Sequence, residues 1–291
     1  MQLGRLCREL APGVDMAEVE RVHAQLPAGH DDWRRLAALT AVALPTVGVV
    51  GLSGGQGAGK TTLAQLLVAA YGLKGMLCVS VSIDDFYLTH DERRALSLTT
   101  HPLLATRGVP GTHDVGLAER VLQALRDGQR VALPQFDKGR DDRVPETTWP
   151  VVGPNVDVVV FEGWCLGATP QPLPDLESPV NELERLEDPS GIWRAFVNDA
   201  CARYRPLWGM VDWWIYLDVP SMGAVRRWRS EQEQGLPDAA RMSSAEVERF
   251  VAHYERLTLW LKSQLAGRAD WLVKLGESHE IRGLQAGARN A

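Results

Sequence analysis

The stretch Thr46-Val-Gly-Val-Val-Gly-Leu-Ser-Gly-Gly-Gln-Gly-Ala-Gly-Lys-Thr61 decides the fold that this chain is expected to adopt. Its first half is a short β-branched run that predicts a strand, and a helical pattern follows from Thr61 to Tyr71. Between them, Gly54–Thr61 fits the pattern G-x-x-x-x-G-K-[S/T], in which glycines let backbone N–H groups converge on phosphates. Because the motif follows a strand and opens a helix, we interpret it as a nucleotide phosphate site rather than a flexible glycine loop.

The polar side chains of this motif have predicted roles. Lys60 is expected to reach the β- and γ-phosphates of ATP and to take part in catalysis, and the Thr61 hydroxyl is expected to ligate Mg²⁺. The positive end of the following helix favours the same anion. The residues predicted to contact the nucleotide here are Gly54, Gly55, Gln56, Gly57, Ala58, Gly59, Lys60, Thr61 and Thr62.

Four more apolar runs follow along the chain, and helical patterns separate most of them. The runs are continuous rather than alternating, as in strands that are buried on both faces of a parallel sheet. Strands that alternate with helices predict a doubly wound α/β fold. The runs are Leu77–Ile83, Val156–Phe161, Trp213–Val219 and Trp271–Leu275, and the predicted helices are Asp114–Asp127, Ile192–Tyr204, Met222–Gln234 and Ser244–Gln264.

The composition argues against several classes of protein. A net charge of −6 over 291 residues does not favour a nucleic-acid partner, which needs a basic face. The most apolar stretch, Leu36–Leu52, is interrupted by Pro45 and is too short to span a membrane. The cysteines have no paired or metal-binding spacing, so we expect reduced structural thiols and a cytoplasmic location. They are Cys7, Cys78, Cys165 and Cys201.

Acidic residues stand at the ends of two predicted strands, where ligands collect in open α/β sheets. Asp84 and Asp85 follow the second strand, and Glu162 ends the third. Transfer of a phosphoryl group to a hydroxyl needs one carboxylate near the acceptor and another near Mg²⁺. We therefore predict that Asp84 is the base or orienting group and that Glu162 is a metal ligand. The alternative is that such acids only cap helices or face water.

Several motifs resemble those of D-glycerate 3-kinases, which are relatives of uridine kinase, phosphoribulokinase and bacterial pantothenate kinase. Ser82–Thr89 (SIDDFYLT) is similar to their signature after the second strand, and Arg107–Asp114 (RGVPGTHD) is the most specific match. The resemblance extends from about Val47 to Leu275. It implies a three-layer α/β P-loop kinase fold with a mostly parallel five-stranded sheet and a helical lid. It also implies MgATP as donor, D-glycerate as acceptor, 3-phosphoglycerate as product, and Asp84 as base through a D-x-F pattern. Further matching stretches are 133–138 with 142–143, Phe161–Trp164 and Trp228–Glu233.

Two long segments, Thr89–Gly111 and Pro134–Pro154, are predicted to be functional loops that contact the acceptor. Their cationic side chains would suit a small anionic acceptor, since arginine binds carboxylates in a bidentate manner. The same side chains could instead form ion pairs within the loops, with Asp137, Asp141 and Asp142. The predicted acceptor-site residues are Asp85, Tyr87, Arg107, Thr112, His113, Asp137, Lys138 and Arg143.

Arginines that follow the fourth strand resemble the lid of P-loop kinases, which closes over the triphosphate and offsets its charge. On this basis we assign Arg229 to catalysis and Arg226 to nucleotide binding. A solvated helix face with ion pairs to Glu231 and Glu233 would explain the same arginines.

The predicted organisation has three parts. Residues 1–45 form a helical N-terminal segment without a catalytic pattern, 46–279 form a P-loop kinase domain with a lid at about 222–243, and 280–291 form a polar tail without fixed structure. Other hydroxyl acceptors, such as a nucleoside, pantothenate or a sugar phosphate, are alternatives to glycerate. A nucleotide-hydrolysing switch protein is a further alternative, although the chain lacks an N/T-K-x-D guanine motif.

Overall fold

The computed structural model describes residues 2–46, 48–235 and 241–287, and within them the chain forms eleven α-helices and ten strands. The helices are α1 Gln2–Leu10, α2 Met16–Gln25, α3 Asp31–Ala43, α4 Lys60–Leu73, α5 His90–Thr99, α6 Val115–Arg126, α7 Glu182–Glu187, α8 Ile192–Arg203, α9 Arg205–Gly209, α10 Met222–Gln234 and α11 Ser244–Leu265. The strands are β1 Val49–Gly54, β2 Cys78–Ser82, β3 Val131–Ala132, β4 Phe136–Asp137, β5 Asp142–Arg143, β6 Val151–Val152, β7 Val158–Gly163, β8 Trp213–Asp218, β9 Trp271–Leu275 and β10 Ile281–Ala286.

Six of these strands form one sheet in the order β10-β9-β8-β1-β7-β2. Strand β1 lies between β7 and β8, parallel to both, and its register places Leu52 beside Glu162. Strands β1 and β7 are buried along their whole length, as their continuous apolar runs predict. Because β1, β2 and β7 are parallel, their carboxyl ends deliver the phosphate loop, Asp84 and Glu162 to one edge of the sheet.

The sheet has one strand more than the five that the sequence predicted. Strand β10 is antiparallel to β9, so the prediction of a tail without fixed structure was wrong for residues 281–286. Only Ile281 and Leu284 of this strand are buried. A short edge strand with two buried side chains gives little apolar pattern to read. Residues 288–291 lie outside the described residues.

Helices cover both faces of the sheet, which confirms the three-layer α/β fold. One core packs Trp33 and Leu36 of α3 against Leu67 of α4 and Val50 of β1. A second core on the opposite face includes side chains of α6, α8 and α9. Each large apolar side chain buried in this way stabilises the fold by about 1.5–3 kcal/mol. The N-terminal segment is therefore part of the folded unit through α1, α2 and α3.

Local hydrogen bonds fix where two of the helices begin. Ser243 and Glu246 form a capping box that opens α11. Thr89 and Glu92 form a second capping box that opens α5, within a segment that the sequence analysis predicted to be a loop. The Thr-x-x-Glu signature was a sign of this helix. Of the predicted lid, residues 236–240 lie outside the described residues.

The buried thiols agree with the sequence analysis. The four cysteines are buried and none of them is part of a disulfide, so the prediction of structural thiols without disulfides is confirmed. Burial raises the pKa of the Cys78 and Cys201 thiols to about 12, which makes them poor nucleophiles. None of the helices in the described ranges is both long and apolar enough to cross a membrane.

Candidate active site

The phosphate loop connects the end of β1 to the first turn of α4. Gly57 and Gly59 have φ angles of 72° and 85°, in the left-handed region that glycine adopts with least strain. A Cβ atom at Gly57 would lie 2.9 Å from Cβ of Trp228, and one at Gly59 would lie 3.0 Å from the Trp33 ring. The backbone therefore wraps tightly in front of α4, whose first N–H groups and dipole favour an anion.

A lysine, a threonine and a glutamate meet beside this loop. Lys60 Nζ donates to the Gly55 carbonyl at 3.0 Å, and the Thr61 hydroxyl donates to Glu162 Oε1 at 3.1 Å. Burial raises the pKa of Glu162 and lowers the pKa of Lys60, while the attraction between the two opposes both shifts. Mg²⁺ takes one or two protein carboxylates and completes its shell with phosphate oxygens and water. The Thr61 hydroxyl and the Glu162 carboxylate fit that demand.

Asp84 lies just beyond β2, in a single turn of 3₁₀-helix. The Tyr87 hydroxyl donates to its Oδ1 and the Lys138 ammonium donates to its Oδ2, each at 2.8 Å. Burial pushes the pKa of Asp84 upward, but the charge and hydrogen bond of Lys138 and the hydrogen bond of Tyr87 outweigh it and lower that pKa. Asp84 is therefore an ionised carboxylate at neutral pH, oriented by two donors.

The loop and Asp84 line one cavity of about 840 Å³, a volume typical of small-molecule sites. Gly54, Gly55 and Ala58 are buried and do not line it. The predicted site residues that do line it are Gln56, Gly57, Gly59, Lys60, Thr61, Thr62, Asp84, Lys138, Glu162 and Arg229.

Strands β4 and β5 form a hairpin that carries Lys138 to Asp84. Asp85 anchors this hairpin, because its Oδ1 accepts the N–H of Phe136 at 3.1 Å. Burial raises the pKa of Asp85 to about 6, and the hydrogen bond from Phe136 offsets only part of that effect. Asp85 does not line the cavity, so its contact is with the hairpin that positions Lys138.

Three more predicted acceptor residues hold the same loops together. Arg107 forms an ion pair with Asp141, Asp137 accepts two N–H groups of the hairpin turn, and Arg143 donates to the Tyr87 carbonyl at 2.8 Å. None of the three lines the cavity, so the structure does not bring them to it. For Arg107, the structure shows the alternative of an ion pair within the loops.

Thr112 and His113 are both buried behind Asp84 and its partners. The Thr112 hydroxyl donates to a carbonyl of its own turn at 2.7 Å and does not line the cavity. The His113 ring stacks on Tyr87, with ring centroids 4.6 Å apart, and its Nδ1 lies 2.8 Å from the Tyr204 hydroxyl. Burial lowers the pKa of His113 to about 4, so the ring is neutral at physiological pH. Within the described residues its Nε2 has no hydrogen-bond partner.

The two arginines assigned to the lid point in different directions from α10. Arg226 pairs with Glu248 at 2.9 Å and with Glu255 at 3.0 Å, both on α11, and does not line the cavity. The structure therefore does not bring Arg226 to the cavity, as its predicted role in nucleotide binding would require. Arg229 does line the cavity, and it also pairs with Glu233, as the alternative of ion pairs along the helix expected.

Some residues of the cavity wall carried no signal in the sequence. Residues 27–30 and Trp33 reach the cavity from the N-terminal segment, and Ser278 and His279 reach it from the turn between β9 and β10. No motif marks these residues, because their position depends on packing between segments that are far apart in the chain. Trp164, by contrast, belongs to the Phe161–Trp164 match and could have been found there.

A phosphate loop, a strand-end glutamate and an oriented aspartate in one cavity define a P-loop kinase site. Residues 49–169 match the model of the phosphoribulokinase/uridine kinase family. A protein of Schizosaccharomyces pombe described as the uncharacterized kinase mug58 is 36% identical over 219 residues, which are 71% of this chain and 78% of that protein. The chain belongs to this family of P-loop kinases.

Within the family, the chain is similar to D-glycerate 3-kinases, which confirms the resemblance found in its motifs. The chloroplastic D-glycerate 3-kinase of Arabidopsis thaliana is 32% identical over 219 residues, which are 71% of this chain but only 46% of the plant protein. A solved structure of D-glycerate 3-kinase from Cryptococcus neoformans var. grubii shares the fold, with a TM-score of 0.68. That match covers 98% of this chain and 99% of the other at 24% identity.

Proposed function

We propose that the chain transfers the γ-phosphoryl group of ATP to a hydroxyl of D-glycerate and so yields 3-phosphoglycerate. The observation that carries the proposal is the position of Asp84, held by Tyr87 and Lys138 on the wall of the cavity that also contains Lys60. Phosphoryl transfer to an alcohol needs an oriented carboxylate beside bound phosphates. The choice of D-glycerate rests in addition on the similarity to kinases that are named for this substrate.

The donor side of the site would bind the triphosphate through the backbone of the loop. Lys60 would hold the β- and γ-phosphates, and their negative charge would offset the effect of burial on its pKa. Mg²⁺ bound with the nucleotide neutralises phosphate charge during transfer, and we propose that Thr61 and Glu162 hold it. Arg229 lines the same cavity and would stabilise charge on the transferred group.

On the acceptor side, the hydroxyl proton would pass to Asp84. The Lys138 side chain is 60% exposed and can leave Oδ2, whereas the buried Tyr87 hydroxyl keeps its hold on Oδ1. If the ammonium of Lys138 moves to the carboxylate of the acceptor, burial dominates at Asp84 and its pKa rises. Binding of an anionic acceptor would thereby make Asp84 a better base.

His113 would not contact the acceptor but would act through Tyr87. Its ring stacks on Tyr87, and it would hold the Tyr87 hydroxyl against Asp84. Arg107 and Arg143 would keep the loops around the hairpin in place through Asp141 and the Tyr87 carbonyl. The proposed partners are thus MgATP and one small acceptor. A cytoplasmic location is in keeping with four buried cysteines that form no disulfide.

A coupled assay of ADP release tests the proposal on the full chain. The acceptors are D-glycerate, uridine, pantothenate and ribulose 5-phosphate, each compared with no acceptor. We expect ADP release to depend on D-glycerate, with one phosphoglycerate formed for each ADP. The Lys60→Ala variant is the control for contaminating kinases and should lack this activity. Stimulation by uridine alone, or hydrolysis of GTP without any acceptor, would contradict the proposal.

A further inference from the structure

A second, much smaller cavity lies between α8 and α11. Trp193 of α8 and His253 of α11 line it together with Val109, which belongs to the Arg107–Asp114 motif. Its volume is about 20 Å³, and a bound water molecule needs roughly 10–15 Å³. Among the described residues, none lines both this cavity and the active-site cavity. The proposed phosphoryl transfer therefore gives the small cavity no role.

Two ring nitrogens in the wall of this cavity are buried without a hydrogen-bond partner. Trp193 is only 3% exposed and His253 only 6%. Within the described part of the chain, neither Trp193 Nε1 nor His253 Nε2 has a partner, although the two rings pack edge to face with their centroids 5.9 Å apart. Buried polar groups are nearly always paired with protein or with ordered water, because an unpaired one costs free energy. The two nitrogens therefore indicate a ligand in the cavity.

The other ring nitrogen of His253 determines what Nε2 can do. Nδ1 lies 2.8 Å from the carbonyl oxygen of Arg249, one turn earlier in α11. A carbonyl oxygen only accepts, so Nδ1 carries the proton and Nε2 presents a lone pair. Burial lowers the pKa of His253 to about 4, so the ring is neutral at physiological pH. Since an indole N–H only donates, the cavity wall offers one donor, Trp193, and one acceptor, His253.

The arginine and asparagine side chains of the same wall already have protein partners. Arg194 donates to a backbone carbonyl at 2.6 Å, and Arg256 donates to a buried glutamate at 2.7 Å. Asn198 accepts a backbone N–H at 2.6 Å and donates to the carbonyl of the same residue at 3.2 Å. These side chains are therefore not the source of the unmet hydrogen bonds, which come from Trp193 and His253.

The ligand must accept one hydrogen bond and donate another in a space of one small molecule. An anion such as chloride could accept from Trp193 but has no proton for the lone pair of His253. An ammonium ion has protons but no lone pair for the indole N–H, and an apolar gas can satisfy neither group. Water has both a lone pair and a proton to offer, carries no charge into a buried site, and fits the volume.

We propose that this cavity binds one water molecule, which accepts a hydrogen bond from the Trp193 indole and donates one to Nε2 of His253. The water bridges α8 and α11 beside the Arg107–Asp114 loop, since Val109 of that loop lines the same cavity. Helix α11 also contacts the loop through Tyr254, whose hydroxyl donates to the Arg107 carbonyl at 3.2 Å. The bridge thereby helps to fix α11 against this loop. The water site is independent of the proposed reaction, because no residue of its described wall lines the active-site cavity.

Crystal structures of the full chain, at a resolution that shows ordered water, test this site directly. We expect one water peak at about 2.7–3.2 Å from both nitrogens. A crystal soaked in sodium bromide tests for an anion, because bromine is identified by its anomalous signal, and a crystal under xenon pressure tests for an apolar cavity. Bromide or xenon in the cavity, a direct hydrogen bond between the two rings, or a cavity without a peak would overturn the inference.

In solution, nuclear Overhauser effects between water and the indole protons of the parent chain provide a second test. The Trp193 indole proton, identified by its loss in Trp193→Phe, should show the effect of a long-lived bound water. Trp164 is the internal control, because its buried indole donates directly to the Gly108 carbonyl at 3.0 Å and should show no such effect. His253→Leu removes the acceptor and should abolish the signal at Trp193. The same result for Trp193 and Trp164, or a signal that persists in His253→Leu, would contradict the proposed bridge.

Unfolding by denaturant measures what the bridge contributes to stability. Trp193→Phe and His253→Leu each leave one of the two groups without its partner across the water, so each should raise the equilibrium constant for unfolding by about tenfold. The double variant removes both groups of one bridge, and its increase should stay clearly below the product of about a hundredfold. An increase equal to the product would show that the two side chains act independently, and the bridge would be wrong.

Discussion

The phosphate loop takes its residues from one continuous stretch, Gly54–Thr61, whereas the groups around Asp84 come from segments far apart in the chain. Lys138 and Asp84 are 54 residues apart in sequence, and their contact depends on the hairpin that Asp85 anchors. The loop is shaped by its own glycines, but the Asp84 side is held by ion pairs and hydrogen bonds between loops. Substitutions on the two sides should therefore change different quantities.

The largest effect is expected on the Asp84 side. Asp84→Asn keeps the size of the side chain and an oxygen for the Tyr87 hydroxyl, but it cannot accept the proton of the acceptor. We expect kcat to fall by about 10²–10⁴-fold, with the dissociation constant for MgATP changed by less than about twofold. Steady-state kinetics and calorimetry measure the two quantities. If the affinity for MgATP fell in parallel with kcat, Asp84 would have to be assigned to Mg²⁺ binding and not to the acceptor.

A smaller effect is expected on the loop side. Glu162→Gln keeps an oxygen for the Thr61 hydroxyl but removes the charge proposed to hold Mg²⁺. The concentration of Mg²⁺ that gives half-maximal activity should rise by about 10–100-fold, while KM for the acceptor stays unchanged. Titration of activity with Mg²⁺ at saturating ATP checks this. If Glu162→Gln raised KM for the acceptor and left the Mg²⁺ concentration for half-maximal activity unchanged, the proposed difference between the loop side and the Asp84 side would be wrong.

Lys138→Met tests whether the hairpin sets the protonation of Asp84. The Lys138 charge and hydrogen bond lower the pKa of Asp84, so its removal should raise that pKa. Since Asp84 must be ionised to act as base, the acid limb of the profile of kcat/KM against pH should move to higher pH. At neutral pH, kcat/KM for the acceptor should fall by about tenfold.

Arg140→Met is the matched control for this charge. Arg140 is an exposed cation of the same hairpin turn and does not contact Asp84. Its removal should leave the acid limb where it is in the parent chain. Equal shifts in both variants would show that the effect comes from net charge and not from the contact with Asp84.

The smallest effect concerns stability rather than turnover. Burial raises the pKa of Asp85 in the folded chain to about 6. Between about pH 4 and pH 6 the folded chain therefore holds a proton that the unfolded chain has lost, and the free energy of unfolding falls as pH rises through this range. Asp85→Asn keeps an acceptor for the Phe136 N–H without the charge. Relative to the parent chain, the free energy of unfolding of this variant should be higher by on the order of 2 kcal/mol at pH 7 and nearly unchanged at pH 4. Denaturant unfolding at the two pH values measures the difference, and an equal gain at both would contradict the raised pKa.

Much of the fold was predictable because its signals are local. The strands β1, β2, β7, β8 and β9 were found from their apolar runs. The runs are clearest in β1 and β7, which are buried along their whole length. Helix α5 was missed, although Thr89 and Glu92 carried its capping signature. Strand β10 was missed because its partner, β9, supplies most of what holds it in place.

The site residues likewise fall into those that local sequence signals predicted and those whose positions depend on distant parts of the chain. Lys60, Thr61, Asp84 and Glu162 were predicted, and they line one cavity, because a strand end determines where each of them points. The partners of the other charged residues were not predictable. Arg107 could have met a ligand or any of several aspartates, and only the folded loops bring it to Asp141. Arg226 and Arg229 differ in sequence position by less than one turn of helix, yet only Arg229 lines the cavity.

By itself the amino-acid sequence determined five strands of the sheet, the phosphate loop and the acids at the strand ends. These features follow from backbone conformation and apolar pattern over a few neighbouring residues. Only the tertiary structure decided that residues 27–30 and His279 border the loop and that Arg226 faces α11. The reason is physical: a charged or polar side chain can satisfy its hydrogen bonds with many partners, and chain packing alone selects which partner is within reach.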